Sequence, residues 1–363
     1  MMLSKPPAVL PEYLNCLEPP GLIEHFLRHP PEGFAIVLSP AGQPGFRMSF
    51  DLLTTMDGHT LRRLMRLPMA GSIRRALTWP TLFWGTTVTE YLPLSPHRDG
   101  MQFVDTLLST WGGSSRLMIL KDIPDRSPLL SEPECLAARH VLEACKQAGC
   151  ILVAGQALAY VTIDFSGETG YLARLSYSRR KHIRRKLRRR PELHIEMLRT
   201  GCERLRCPAL LAELYALYLN VYQQSDIHFD KLTAEFFSAV FQDASLDGHL
   251  VLYSSPEGLI GFNLCFVYQG MLIDKYVGFR YPEARDYNLY VISWMENLAF
   301  AQSRKLTHYV AGWTDPEIKA DLGASFTFTH HAVYVRNPLL RRIVGRLSKV
   351  FEHDKTWFEE QQS

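Results

Sequence analysis

The stretch from Ser178 to Arg190, SRRKHIRRKLRRR, holds nine arginines and lysines in thirteen residues, with His182 among them. The whole chain has a net charge of only +3, so removing those nine charges leaves the other 350 residues at −6. The basicity is a local device, not the domain-wide charge of a general nucleic-acid binder. Like charges at i,i+4 oppose a helix by roughly 0.2–0.5 kcal/mol per pair, and a bound polyanion removes that penalty. Arg179, Arg180, Lys181, Arg184 and Arg185 are therefore candidate phosphate-binding residues. Their partners would be polyanions, such as nucleic-acid phosphates, a phosphorylated small molecule, an acidic protein or anionic lipid. The competing reading is a solvated linker helix that balances acidic surface elsewhere.

Acid–base chemistry is available further along. Asp274, Lys275 and Tyr276 follow one another in MLIDKYVGF, a strand-like run that sends Asp274 and Lys275 to opposite faces. A carboxylate at Asp274 suits acceptance of an amine proton, and a phenol at Tyr276 or Tyr290 suits protonation of a leaving group. The plainer roles are a cross-strand ion pair and core packing. The loop GFRYPEARDYN (278–288) offers Arg280 and Arg285 as phosphate partners. Tyr287 and Asn288 open a long helix and are candidates for the same phosphate-binding site, although Asn288 also suits the N-cap. His308, His330 and His331 have no carboxylate partner visible in sequence and read as structural. There is no G-x-S-x-G, Walker loop, post-strand G-x-G-x-x-G or H-E-x-x-H, so hydrolase, NTPase, dehydrogenase and zinc-protease readings lack support.

The elements that must hold these groups are α+β in pattern. At 363 residues and 47% hydrophobic content the chain has material for two domains with sizeable cores. Strands are expected at 34–40, 45–53, 81–94 and 116–123, and helices at 61–68, 103–111 and 133–149. The segment 168–175, ETGYLARL, reads as a strand. Ser178 is expected to cap the basic helix and Pro191 to end it. Two helices, three successive strands, a long helix at 289–305, a strand, a short helix holding Lys319, and a final strand complete the order. A basic amphipathic helix closes the chain, suited to docking or to peripheral membrane contact. The domain boundary is placed near 175, giving 1–175 and 176–363. Seven scattered cysteines with no C-x-x-C read as reduced thiols in a cytoplasmic protein without a metal site. No apolar h-region opens the sequence and no apolar run approaches 18 residues, so neither a secretory signal nor a transmembrane segment is expected.

Four strings occur in an informative order: YLARLSYSRRKHIRRKLRR (171–189), LIGFNLCFVYQGMLIDKYVGF (259–279), DYNLYVISWMENLAFAQSRKLTHYVAG (286–312) and PEIKADLGA (316–324). Together they resemble the Fem-type (FemAB-like) transferases of the GNAT N-acyltransferase superfamily, which carry two such domains in tandem. The first half fits through RLMILKDIP (116–124) and GQALAYVTID (155–164). The resemblance implies two tandem GNAT-like domains with mixed, mostly antiparallel sheets flanked by helices. It also implies direct transfer of an acyl or aminoacyl group to an amine acceptor. The donor would be acyl-CoA, an acyl carrier protein or an aminoacyl-tRNA, the breadth of the group favouring a thioester, with no tightly bound cofactor. In that family a lysine in an aromatic-Lys-x-x-Leu/Phe-Gly string stabilises the oxyanion, which carries over to Lys319, although Ile318 replaces the aromatic. The family's strand-to-helix loop offers backbone N–H groups to phosphates, yet the loop here has no glycine after Gly278. A non-catalytic protein of the same fold, binding RNA or anionic lipid through the basic helix, is the alternative.

Overall fold

The computed structural model describes residues 10–52, 70–96, 99–225 and 229–347. The helix expected at 61–68 lies outside them. The chain forms two compact units. The first takes the described residues through Cys16, Phe26–Ala157 and those from Thr327 onward, and the second takes Leu17–His25 and Leu158–Phe326. This differs from a single boundary at 175. Tyr171, Leu172 and Leu175 bury into one cluster with Trp294, Met295 and Leu298, which draws the segment before the basic helix into the second unit.

In chain order, α1 (Gly21–Arg28), β1 (Ala35–Leu38), β2 (Pro44–Asp51), α2 (Ala70–Leu77), β3 (Thr78–Trp84), α3 (Gly100–Trp111), β4 (Leu117–Pro124), α4 (Glu132–Gln147) and β5 (Ile151–Thr162) come first. Helix α4 starts with a capping box between Ser131 and Glu134 and a proline in its first turn, as its sequence predicts. The sheet of the first unit runs β1-β2-β3-β4-β11-β5, where β11 is Ser325–Val335, and β3 and β4 are parallel. The strand expected over 81–94 stops at Trp84. Gly85 takes φ 116°, a conformation L side chains avoid, and turns the chain out of the sheet. Thr86, Val88 and Leu92 are then buried beside β4, with Leu92 N–H donating to Asp122 O at 2.8 Å and Lys121 Nζ to Thr86 O at 2.9 Å. The edge of β4 past the end of β3 is thus filled by the chain's own backbone.

The second unit contains α5 (Gly167–Ala173), α6 (Tyr177–Lys186), β6 (His194–Arg199), α7 (Pro208–Gln224), α8 (Ala234–Gln242), β7 (Gly248–Ser255), β8 (Gly258–Tyr268), β9 (Met271–Phe279), α9 (Glu283–Asp286), α10 (Leu289–Ser303), β10 (His308–Gly312) and α11 (Pro316–Leu322). Helix α12 (Pro338–Leu347) follows β11 in the first unit. Segment 168–175 is helical where a strand was expected. Tyr171 and Leu172 are consecutive yet sink into the same cluster, which a strand's alternation forbids. The Tyr171 hydroxyl donates to Leu322 O and accepts from Trp294 Nε1, tying α5 to α10 and α11.

The sheet of this unit runs β5-β10-β9-β8-β7-β6. On one face Phe236 and Phe237 of α8 pack edge-on to Tyr276, and Phe241 to Phe262. On the other lies α10, buried around most of its circumference, which explains why it lacks a single apolar stripe. Gly278 marks where the first face is tightest. A Cβ there would meet Phe262 Cε1 at 2.2 Å and Leu217 Cβ at 2.9 Å. Gly278→Ala is therefore expected to destabilise the protein by about 1–3 kcal/mol through overpacking. The urea unfolding midpoint measures this, and an unchanged midpoint would mean the contact relaxes freely.

Candidate active site

Strands β9 and β10 are the parallel pair of this unit, and they stay together for three residues only. Met271, Leu272 and Ile273 pair with His308, Tyr309 and Val310. From Asp274 to Phe279, β9 continues paired to β8, while among the described residues its ladder with β10 ends at Ile273. Its other edge opens where β10 turns away. Gly312, at φ 76°, ends β10 at this opening, with its Cβ position 3.8 Å from Asp274 O and 4.0 Å from Lys319 Nζ.

A bulge fixes what faces the opening. Leu264 pairs with Tyr276 and the next residue, Cys265, with Asp274, so Lys275 is the extra residue. Asp274 accordingly faces α10. Its carboxylate accepts from Asn263 Nδ2 at 2.5 Å, Asn297 Nδ2 at 3.0 Å and Tyr309 Oη at 2.7 Å. Tyr276 faces the opposite side of the sheet, among Phe236 and Phe237. The structure therefore does not bring Asp274 and Tyr276 together as an acid–base pair, because the bulge breaks the alternation that spacing alone implies. Asp274 has its oxygens committed to holding β9, β8, β10 and α10 in register. Lys275 pairs in the interior with Glu18, Nζ to Oε1 3.2 Å, a partner that sequence spacing could not reveal.

Lys319 is 4% exposed, while its neighbour Ile318 is 47% exposed. The helix thus presents its lysine inward and its isoleucine outward, and Lys319 Nζ donates to Gly312 O at 3.0 Å. A buried ammonium is costly unless hydrogen-bonded and given charge to answer, so this places a fixed cation at the mouth of the split. Asp315, which begins α11 at φ 54°, is exposed, and its carboxylate accepts no capping bond from the helix, whose Lys319 N–H donates to its carbonyl. Sequence reasoning missed it. Its signal is an aspartate before Pro316 held in the left-handed region, a strained arrangement common at functional sites. Tyr290 is on the first turn of α10. Burial, and then the negative charges of Asp315 and Asp274, push its phenol far up and keep it protonated. Burial, and then Asp274, likewise push the Cys265 thiol up, so this cysteine is no thiolate nucleophile.

The basic segment borders this site at both ends. Ser176, not Ser178, caps α6 by accepting from Arg179 N–H, because the helix begins one residue before Ser178. Ile183 is buried against α10 and α11 and Leu187 packs beside it, which anchors an otherwise cationic helix. Arg179 pairs with Asp321 of α11 at 3.3 Å. Arg180 donates to Leu175 O at 2.7 Å. At the far end Arg189 lies 4.3 Å over the Tyr287 ring and Arg190 pairs with Glu296 at 2.5 Å. Lys181, Arg184, Arg185 and Arg188 are exposed, and among the described residues none forms a salt bridge.

The loop after β9 differs from its expected role. Arg280 N–H donates to Ile260 O, and the N–H groups of Ala284 through Asn288 all donate to carbonyls within 280–285, closing the short helix α9. Those donors are consumed internally. Arg280 pairs with Glu213 at 3.1 Å, and Arg285 donates to Gln224 Oε1 at 2.8 Å and stacks over Tyr281. Asn288 occupies the N-cap position of α10 at φ 56° without a side-chain cap bond. His308 sits at the paired end of β10, away from the split, with burial lowering its pKa. His330 and His331 belong to the first unit. His331 Nδ1 accepts from Asp122 N–H at 3.1 Å, and burial holds the ring neutral. Among the described residues no His, Cys, Asp or Glu cluster suits a metal, and no helix is long and apolar enough to cross a membrane.

Residues 177–320 match the family model of the Acetyltransferase (GNAT) domain. L-PGS from Bacillus licheniformis superposes with a TM-score of 0.50 at 10% identity, over 93% of this chain and 98% of that one. FemX aligns over 89% and 97% (TM-score 0.48, 11% identity), and a tandem GNAT protein from the clavulanic acid biosynthesis pathway over 87% and 88% (0.43, 11%). No curated protein matches the sequence. The segment containing the split sheet and Lys319 is a GNAT domain, the fold is α+β with mixed sheets flanked by helices, and the protein is an acyltransferase.

The structural role of Asp274 is open to direct test. Asp274→Ala strands three buried donors and is expected to cost about 3 kcal/mol or more, while Tyr309→Phe removes one and costs about 1 kcal/mol. Guanidinium unfolding compares the two. A residue acting only as a proton acceptor would leave the midpoint of Asp274→Ala unchanged.

Proposed function

From the premise of a GNAT acyltransferase domain, we propose that this protein moves an aminoacyl group from aminoacyl-tRNA to an amine acceptor. The observation that carries the reading is the buried Lys319 ammonium at the point where β9 and β10 part. The carrier is assigned from two further features. Five N–H groups of the loop after β9, those of Ala284 through Asn288, are closed on the loop's own carbonyls instead of facing a pyrophosphate. The exposed cations of α6 meanwhile form a surface suited to a long phosphate backbone.

In this mechanism the acceptor nitrogen attacks the ester carbonyl carbon. The carbonyl oxygen gains negative charge beside Lys319 Nζ, a fixed cation that needs no reorganisation. Asp315 takes the proton lost by the amine. The C–O bond to the ribose breaks, and Tyr290 gives its proton to the departing oxygen before recovering one from Asp315. An amide and a free tRNA 3′ end result, with no covalent enzyme intermediate. Thioester donors would use the same groups, with the proton going to a thiolate.

The test uses bulk aminoacyl-tRNA with hydroxylamine as a surrogate amine. Lys319→Met is expected to lower hydroxamate formation by about 10²–10³-fold with tRNA binding retained. Lys181→Glu, Arg184→Glu and Arg185→Glu together are expected to weaken tRNA binding at least about tenfold and to flatten its salt dependence. Tight binding of coenzyme A without tRNA binding would instead assign a thioester donor. Turnover indifferent to Lys319→Met would remove the catalytic site from this position.

A further inference from the structure

The first unit holds a cavity of about 540 Å³, formed by α4, the residues just after β4, the start of β5 and His330 of β11. Its size falls among small-ligand sites. Nothing in the acyl-transfer mechanism uses it. Arg139 lines the cavity, and its Nε is shielded from solvent yet makes no hydrogen bond among the described residues. Buried guanidinium N–H groups almost always have an acceptor. The missing acceptor is best supplied by a ligand.

The rest of the lining defines that ligand. Arg126 and Lys146 add positive charge, and of the two carboxylates present, Glu143 is already paired with Lys146 at 2.6 Å. Asp125 is the other, and His140 and His330 complete the polar part. Leu136, Leu142 and Leu152 supply an apolar wall, with Leu136 left 45% exposed although it is a large hydrophobic residue. A guanidinium prefers a carboxylate or phosphate, which it binds in its own plane. The leucines prefer hydrocarbon.

We propose that this cavity binds a small amphiphilic anion, its carboxylate or phosphate head on Arg139 and its apolar body against Leu136, Leu142 and Leu152. The site is independent of the proposed donor and of Lys319.

Octanoate and octyl phosphate serve as probes for the two head groups, and octanol as the uncharged control, each titrated calorimetrically into the full chain. At least one anion is expected to bind with Kd below roughly 1 mM, and octanol much more weakly. Arg139→Gln is expected to weaken binding about tenfold or more, and Leu136→Ser to weaken it less. Should Arg139→Gln lower the melting temperature, Arg126→Gln, at an exposed position, supplies the same comparison. Whichever head group binds more tightly identifies the ligand as a carboxylate or a phosphate ester. No binding of either anion at about 5 mM, equal binding of octanol, or full affinity in both arginine variants overturns the proposal.

Discussion

Everything at the candidate site depends on one buried ammonium. Lys319 sits inside the protein because α11 turns its lysine toward Gly312 and its isoleucine toward water. Hydrophobic burial alone would choose the reverse. The arrangement holds because Leu322, three residues on, is buried on the same side, and Gly323 at φ 97° ends the helix against Leu175, where any Cβ would clash at 2.5 Å. The cation is thus fixed by its helix's packing, and the Gly312 carbonyl gives it a hydrogen-bond anchor at the split. A charge restrained in this way has little freedom left to lose when a carbonyl oxygen turns negative beside it.

The two units use a similar strand–helix–strand plan differently. In the first, β3 and β4 are parallel and the edge beyond them is occupied by residues 86–92. In the second, β9 keeps an open edge from Asp274 onward. The Asp274 network keeps it open without disorder, since the bulge at Lys275 is braced from three elements. An open strand edge is ordinarily a liability, and here it lies beside the buried Lys319 ammonium.

Much of this was legible in the sequence, and the exceptions have physical causes. The order of helices and strands from β6 onward in the second unit, the existence of the basic helix, and the nomination of Lys319 all came from local pattern or family resemblance. Pairing geometry did not. A bulge is a property of two strands, so the separation of Tyr276 from Asp274 cannot be read from MLIDKYVGF alone. PEIKADLG read as a helix, but which face turns inward is set by Leu322 and Gly323 meeting a distant α5. The loop 278–288 was visible as a loop with too few glycines, whereas the capture of its N–H groups by its own carbonyls is three-dimensional information. Asp315 was passed over because Asp-Pro reads as an ordinary helix start.

The claim that the parted strands receive the donor is tested most directly by amide hydrogen exchange, with and without saturating bulk aminoacyl-tRNA. The account predicts slowed exchange in peptides covering 274–279 and 312–322, with β7 and the paired part of β8 unchanged. Binding that leaves 274–279 exchanging at its free rate would contradict it.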